Sequence, residues 1–315
     1  METLDVTQIE PRLKHPKIFE KFDTLVGGQS FLIHNDHDPK PLYYQLIAER
    51  GQTFDWEYLK EGPEIWEVKI SKLNTGEKPA TIGELVAADF RKAEVFRKFG
   101  LDFCCGGKKS LSQACIAKGI DVTKVEVALA EVDNKPKTSQ QDFTNWDLDF
   151  LADYIVNTHH KYVTESLPML FEFSKKVARV HGDFHIEVVE IADYFKAVAD
   201  ELTMHMDKEE NILFPYIKDL VAAKKNGTPF KPSPFGSIEN PIRMMESEHV
   251  SAGGNMDKIH ELSSSFTPPE DACSSYRVLY QKLEEFELDL HQHIHLESNI
   301  LFPKAIALEK ELAKK

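Results

Sequence analysis

The apolar positions near the end of the chain follow the same pattern in two stretches, with steps that alternate between four and three residues. The first series is Ile191, Phe195, Val198, Leu202, His205, Glu209 and Ile212, and the second is Leu279, Leu283, Phe286, Leu290, His293, Glu297 and Ile300. This alternation is typical of the buried face of a helix in a bundle. The pattern predicts two bundle helices, each with one histidine and one glutamate among its inward-facing residues.

The two stretches also share a local sequence around these polar residues. His205 and Glu209 begin the block His-x-x-x-Glu-x-Asn-Ile-Leu-Phe-Pro, and His293 and Glu297 begin the same block again. Residues four apart lie on one face of a helix, one turn above the other. Burying a carboxylate costs several kcal/mol unless it is paired with a cation. The repeated His–Glu pair therefore predicts a metal site rather than a purely structural role.

Each half of the repeat has a further histidine upstream. His249 precedes His293 at nearly the spacing at which His160 precedes His205. Each half is thus predicted to be a helix, a loop and a second helix, so that four helices bring four imidazoles and two carboxylates together. The neighbouring His159 fits the apolar periodicity about as well, and only the spacing of the half-repeats favours His160.

Other histidines of this region are not predicted to join the site. His181 would lie about 30 Å from His160 along a continuous helix, at roughly 1.5 Å per residue, so both cannot bind one cluster. His291 and His295 are each two residues from His293 and face other directions. Mixed imidazole and carboxylate ligands suit iron, manganese or zinc.

Two polar segments that contain proline, Lys72–Pro79 and Val132–Gln141, divide the chain. They predict three domains, at 1–73, 79–132 and 143–315. In the first domain, short strand and helix signals follow one another in the order βαβαββ. This order predicts a small two-layer α/β domain.

The first domain carries His34 and His37 at the end of a predicted strand. They are either metal ligands or ordinary polar residues of a strand-to-helix loop, and the second interpretation is favoured. The sequence around them, with Glu61–Trp66, resembles an uncharacterised bacterial domain whose fold is like that of the sulfur-carrier protein TusA.

The middle domain is predicted to be short and helical. Thr81 and Glu84 form the pattern of a capping box at the start of a helix, and Ser110 is placed to begin another. A domain of about fifty residues buries only a marginal core. We therefore expect it to dock on a neighbour or to form a homodimer.

The middle domain also contains the adjacent cysteines Cys104 and Cys105, followed by two glycines and two lysines. Nearby ammonium groups and a helix N-terminus lower the pKa of a thiol. One interpretation is therefore a reactive pair that relays metal or reacts with nitric oxide, and the other is two small residues in a tight turn. Cys115 and Cys273 fall in helical segments and are expected to be buried.

Composition narrows the classes of partner. The 315 residues include 38 Lys and Arg against 52 Asp and Glu, which gives a net charge of −14. This charge argues against nucleic acid or an anionic membrane surface as the main partner. The acidic start of the chain lacks a signal-peptide pattern, and adjacent cysteines do not suggest a disulfide framework, so a cytoplasmic location is expected.

The motifs together resemble a known family. Met245–His249, the two His-x-x-x-Glu blocks and Asp102–Lys108 are similar to the RIC (repair of iron centres) family of the YtfE/ScdA type, over about residues 80–310. The resemblance implies a mainly α fold, with a hemerythrin-like four-helix bundle after a small cysteine-bearing domain. The α/β domain at 1–73 is an addition that the commonest members lack.

The resemblance also implies a cofactor and a function. The cofactor is a pair of iron ions, joined by an oxo or hydroxo bridge and by the two glutamates. Its ligands would be His160, His205, Glu209, His249, His293 and Glu297. The implied function is the repair of iron–sulfur clusters damaged by nitric oxide or oxidative stress, by donation of iron, with damaged iron–sulfur proteins as clients.

Two other functions stay open for the same site. One is an enzyme that reduces nitric oxide or peroxide at the two irons. The other is a sensor module that binds O2 or nitric oxide and does no chemistry of its own. The cysteine pair favours repair over simple oxygen binding, which requires no thiols.

Overall fold

The structure is a computed structural model that describes residues 2–51, 53–73, 79–134, 142–229 and 233–314. The chain divides into two compact units, Met1–Gln140 and Gln141–Lys315. Most of each predicted linker lies outside the described residues. The division into three domains stays a prediction.

The first unit begins with a small sheet. Its strands are β1 Glu2–Asp5, β2 Ser30–Asn35, β3 Phe54–Lys60 and β4 Trp66–Lys72, and its helices are α1 Pro11–Thr24 and α2 Lys40–Arg50. The strands lie in the order β1-β2-β4-β3, with β1 parallel to β2 and the other pairs antiparallel. Phe31, Ile33 and Val68 of the sheet form one core with buried residues of α1 and α2. The predicted order βαβαββ is confirmed.

Short helices complete the described part of the first unit. They are α3 Ile82–Ala88, α4 Lys92–Lys98, α5 Leu111–Lys118 and α6 Val122–Asp133. The hydroxyl of Thr81 accepts a hydrogen bond from the backbone N–H of Glu84, whose carboxylate accepts one from the N–H of Thr81. Ser110 and Gln113 form the same capping box at the start of α5. The cysteine pair lies in the turn between α4 and α5.

The second unit is a bundle of four long helical rods. In chain order their helices are α7 Leu148–Ile155 with α8 Lys161–His181, α9 Glu187–Lys208 with α10 Phe214–Asn226, α11 Glu239–Leu262, and α12 Ser274–Leu296 with α13 Phe302–Leu312. Helix α9 packs against α8 and α11, and α12 packs against the same two helices, which closes the bundle. The predicted mainly α fold with a four-helix bundle is confirmed. Within the described ranges, none of the helices combines the length and apolar character that crossing a bilayer requires.

Three of the four rods are interrupted by a wider π-helical turn, at Val156–His160, Glu209–Leu213 and Glu297–Leu301. In the second of these turns the N–H of Phe214 bonds the carbonyl of Glu209, five residues earlier, and the third turn repeats this bond. A proline follows each of these two turns, and its ring would clash with the carbonyl four residues earlier in a regular α-helix. The wider turn avoids that clash.

The π-turn corrects one predicted inward position. Ile212 is 50% exposed, whereas Leu213 is 1% exposed and takes its place in the core. A π-turn holds one residue more than an α-turn, so the side chains after Glu209 are rotated relative to the predicted face. After the matching turn at Glu297–Leu301, the predicted Ile300 stays in the core at 3% exposure, beside the buried Leu301. The apolar spacing on its own does not reveal this shift.

Candidate metal centre

Six buried side chains of the bundle form two overlapping groups of metal-ligand type. The His160 group consists of His160, Glu209, His293 and Glu297, and the His205 group consists of His205, Glu209, His249 and Glu297. In each group the four ligand atoms all lie within 4.8 Å of one another. Each of the six residues is at most 1% exposed. Both glutamates belong to both groups.

In the His160 group the two imidazoles face each other, with 3.1 Å between the Nε2 atoms of His160 and His293. Glu297 Oε1 lies 3.0 Å from His293 Nε2 and 3.7 Å from His160 Nε2. Glu209 Oε2 lies 3.4 Å from His160 Nε2. Two imidazole nitrogens and two carboxylates therefore converge on one point.

The His205 group repeats this arrangement on the other side of the glutamates. The Nε2 atoms of His205 and His249 are 3.0 Å apart. Glu209 Oε2 lies 3.3 Å from His205 Nε2, and Glu297 Oε2 lies 3.1 Å from His249 Nε2. The two groups are related by the same twofold pattern that the sequence repeat shows.

The donor set fits a pair of metal ions. Both oxygens of Glu209 are buried and accept no hydrogen bond. An ionised carboxylate in such a place is costly unless a cation neutralises it. Imidazole and carboxylate ligands around positions of this kind suit iron, manganese or zinc. The residues present therefore match a metal centre better than a core hydrogen-bond network.

The charges within the site are strongly coupled. Burial opposes the charged form of His160, but the carboxylates of Glu209 and Glu297 raise its pKa to about 10. Burial likewise opposes the charged form of His205, and the same carboxylates raise its pKa to about 9. Despite burial, the surrounding imidazoles hold the pKa of Glu297 well below its usual range. The site therefore keeps its carboxylates ionised, as metal ligands must be.

Each of three ligand histidines is oriented by a hydrogen-bond partner on its other ring nitrogen. His160 Nδ1 lies 2.8 Å from Glu210 Oε1, His205 Nδ1 lies 2.9 Å from Glu248 Oε2, and His249 Nδ1 lies 3.0 Å from Ser298 Oγ. Such partners fix the ring so that Nε2 points to the metal.

The sequence predictions missed these orienting partners, although a signal for them exists. Glu210, Glu248 and Ser298 are each the immediate neighbour in sequence of a predicted ligand. A polar residue next to an inward-facing ligand lies at the edge of the buried face. From there it reaches the ligand of a neighbouring helix.

The structure places His160, and not His159, in the ligand group. His159 is also buried, but its Nδ1 lies 2.9 Å from Asp289 Oδ1, and its ring stacks on His293 with 5.7 Å between centroids. The wider turn at Val156–His160 turns both adjacent histidines inward. His159 thus packs behind His293, which is one of the predicted ligands.

The other histidines of the bundle lie outside the ligand groups. His295 is buried, and burial lowers its pKa to about 4. His181 ends helix α8 and contacts Cys273 rather than the groups. In the first unit, His34 pairs with Glu67 and His37 pairs with Asp36. Among the described residues, neither of these two belongs to a group of three metal-ligating side chains.

The cysteine turn is organised by Asp102. Its carboxylate accepts hydrogen bonds from the backbone N–H groups of Cys104, Cys105 and Gly106 at 2.8–3.0 Å. A side chain at position 106 would meet the Asp102 carbonyl at 2.5 Å, which explains the glycine. Ligand atoms of Asp102, Cys104 and Cys105 lie within 4.8 Å of one another.

The expected lowering of thiol pKa is wrong for Cys104. A hydrogen bond with Cys105, followed by burial and the nearby Asp102, raises the pKa of Cys104 well above its usual value. Cys104 is only 5% exposed, and this burial disfavours its charged thiolate form. The expected burial of Cys115 holds, whereas Cys273 is exposed because it is the cap residue at the start of α12.

Models of three protein families match the chain. A family of uncharacterised conserved proteins (DUF2249) matches residues 3–72. A domain of unknown function (DUF542) matches residues 78–133. The hemerythrin HHE cation-binding domain matches residues 151–305, which contain all six residues of the two ligand groups.

Curated relatives match nearly three quarters of the chain. The iron–sulfur cluster repair protein YtfE of Yersinia pseudotuberculosis is 38% identical over 226 residues, which cover 72% of this chain and 96% of the relative. The proteins of the same name from Musicola paradisiaca and Dickeya chrysanthemi are 38% and 37% identical over the same lengths.

Proposed function

This chain belongs to the family of the iron–sulfur cluster repair protein YtfE, and we propose that it restores damaged iron–sulfur clusters by supplying them with iron. The observation that carries the proposal is the pair of buried four-residue groups that share Glu209 and Glu297. Four imidazoles and two carboxylates are enough to hold two ions with positions to spare. A store of this kind fits a protein that gives metal to damaged clusters.

We propose that the site binds two irons, with His160 and His293 on one ion, His205 and His249 on the other, and both glutamates between them. The iron is the cargo of the repair reaction, and the ferrous form is the labile one, because these ligands hold it less tightly than ferric iron. The hydrogen bonds to Nδ1 keep three of the four imidazoles, those of His160, His205 and His249, aimed inward when iron is absent. The site is therefore ready to be refilled.

We propose that Cys105 is the thiol that takes part in metal transfer, with Cys104 in support. Cys105 is partly exposed, whereas Cys104 is buried and its raised pKa disfavours the thiolate. The thiolate is the form that binds metal or attacks another thiol. This assigns the relay role to one of the two adjacent cysteines.

The decisive experiment separates donation from catalysis. Protein loaded with ferrous iron is incubated with a cluster enzyme that nitric oxide has damaged, and separately with nitric oxide alone. Recovery of the enzyme in step with loss of iron from this protein is the expected result. Turnover of nitric oxide to nitrous oxide without loss of iron would overturn donation and favour the reductase function.

The double variant Glu209→Leu, Glu297→Leu is the matched control. Leucine keeps the apolar packing of the interior and removes both shared carboxylates. Iron binding and enzyme recovery should both be lost, while the variant stays folded. Recovery that survives in this variant would place the iron source elsewhere in the chain.

A further inference from the structure

A row of aromatic rings leads from the surface of the bundle to one of the proposed metal ligands. The rings are those of Trp146, Tyr154, His159 and His293, in that order. The centroids of successive rings are 5.1, 5.9 and 5.7 Å apart, which is the normal range for aromatic rings in contact. Trp146 is partly exposed, whereas His293 is fully buried. The row therefore joins the outside of the bundle to the His160 group.

His159 is held in the position that joins the tyrosine to the ligand. Its ring lies nearly parallel to that of His293, with 11° between the planes, and makes an angle of 76° with that of Tyr154. A hydrogen bond of 2.9 Å between its Nδ1 and Asp289 Oδ1 fixes the ring in this orientation. An electron tunnels more readily through contacting rings than across an unbridged gap, so His159 couples Tyr154 to the metal site.

Tyr154 is the readily oxidised ring of this row that lies nearer to the ligand. A phenol gives up an electron to strong oxidants, whereas imidazole is much harder to oxidise. Tyr154 is only partly exposed and lies against Phe143 and Trp146, with centroids 5.4 and 5.1 Å away. These neighbours shield a phenoxyl radical from reaction with other molecules. Tyr154 is thus placed both to donate an electron and to hold the resulting radical.

We propose that Tyr154 supplies the second electron when hydrogen peroxide reacts with a single ferrous ion in the His160 group. The proposal rests on the function proposed above, since donation of one iron leaves one ion behind. Reduction of peroxide to two hydroxide ions takes two electrons, and a lone ferrous ion has only one to give. The second electron passes from Tyr154 through His159 and His293, and the phenol proton neutralises one hydroxide. The products are ferric iron, a tyrosyl radical, water and hydroxide, so no hydroxyl radical is released.

The test follows the radical directly in the full chain. The unaltered protein and a His249→Ala variant, which lacks a ligand of the His205 group, are each loaded with one equivalent of ferrous iron and mixed with peroxide. Rapidly frozen samples are read by electron paramagnetic resonance. We expect a tyrosyl signal in both proteins, and its loss when Tyr154→Phe is introduced. His159→Leu should slow the appearance of the signal without lowering the bound iron.

Oxidation of the protein itself gives a second readout. Without the tyrosine the second electron has to come from other side chains, and methionine is readily oxidised to its sulfoxide. Met206 is buried and follows the ligand His205 in sequence. Peptide mass spectrometry should therefore find more sulfoxide at Met206 in Tyr154→Phe than in the unaltered protein.

Tyr162→Phe makes the same change at another tyrosine of the same helical rod. The ring of Tyr162 contacts Phe286, and this variant should keep the radical signal. A signal that persists in Tyr154→Phe, or that is lost in Tyr162→Phe, would overturn the proposal, and so would its absence from unaltered protein that holds iron. Failure to hold iron would instead refute the proposed function on which this one rests, and iron analysis before peroxide is added tells the two results apart.

Discussion

The carboxylate of Glu297 divides its oxygens between the two ligand groups, with Oε1 3.0 Å from His293 Nε2 and Oε2 3.1 Å from His249 Nε2. A residue in this position should be needed for both metal ions at once. We predict that Glu297→Gln lowers bound iron from about two ions per chain to less than one. The amide keeps the size of the side chain but removes the charge that offsets the cations.

The iron content after reconstitution and gel filtration measures this effect. Glu284→Gln makes the same chemical change at an exposed position of the same helical rod and should leave the iron content at the level of the unaltered protein. A Glu297→Gln protein that keeps both ions would refute a shared carboxylate.

The carboxylate of Glu248, which orients His205, should affect the affinity for metal but not the number of bound ions. Glu248 accepts a hydrogen bond from His205 Nδ1 and pairs with Lys208. We predict that Glu248→Gln weakens metal binding about 10- to 100-fold, the range that is typical of such outer partners. A competition titration against a chelator measures the dissociation constant, and the number of bound ions should not change.

A second glutamate of the same helix supplies the control for this prediction. Glu261 lies at the far end of α11 and pairs with Lys258 on the surface. Glu261→Gln therefore removes a comparable ion pair and should leave the affinity unchanged. Equal effects of the two substitutions would show that the loss comes from the charge of the helix and not from the orientation of His205.

The adjacent histidines should behave differently when each is replaced by alanine. His160 faces His293 and both glutamates, whereas His159 bonds Asp289. We predict that His160→Ala reduces iron binding, while His159→Ala keeps it and lowers the free energy of unfolding by about 1–3 kcal/mol, because Asp289 loses a buried partner. Iron analysis and denaturant unfolding of the metal-free proteins separate the two effects. Loss of iron from His159→Ala alone would reverse the assignment.

The fold and the ligand groups follow from the sequence because they depend on periodicity. Spacings of three and four residues place His205 and Glu209 on one inward face, and the repeat places His293 and Glu297 on another. The choice between His159 and His160 depends on the exact angle of a single turn. A π-turn adds one residue to the turn and so changes the direction in which each side chain points. The backbone hydrogen bonds that form a π-turn cannot be read from the spacing of apolar residues.

The thiol prediction failed for a different reason. Sequence shows that Lys108 and Lys109 follow the cysteines, but it does not show which side chains are buried. In the structure Cys104 is enclosed and shares a hydrogen bond with Cys105, and these two effects decide its pKa. Charged residues nearby in the sequence are therefore a weaker guide to the pKa of a thiol than its burial in the structure.

The π-turn at Glu209–Leu213 can be tested by placing a lysine at either of two neighbouring positions. Ile212 is half exposed, whereas Leu213 is buried in the core. We predict that Ile212→Lys changes the free energy of unfolding by no more than about 0.5 kcal/mol, as is usual for surface sites. Leu213→Lys should lower it by more than about 3 kcal/mol or prevent folding, because an ammonium group would be buried without a partner. If Ile212→Lys is the more damaging change, the regular helical face predicted from the spacing is correct.

The four cysteines should differ in their rates of alkylation by iodoacetamide. We predict rapid labelling of Cys105, which is partly exposed, and of Cys273, which is exposed, and slow labelling of the buried Cys104 and Cys115. Burial also raises the pKa of Cys115 to about 11, and the pKa of Cys104 is raised as well. A raised pKa lowers the thiolate fraction at any pH below it, so moving from neutral to mildly alkaline pH should leave both slow residues largely unmodified.

Peptide mass spectrometry at several reaction times measures the four rates separately. Labelling in denaturant is the control, since all four thiols are then accessible and should react at similar rates. Native Cys104 that reacts as fast as Cys105 would contradict the buried, protonated thiol and would restore the pair as equal partners in metal transfer. Protection of Cys105 by bound metal would be consistent with its proposed role, because a ligated thiolate is a poor nucleophile toward the reagent.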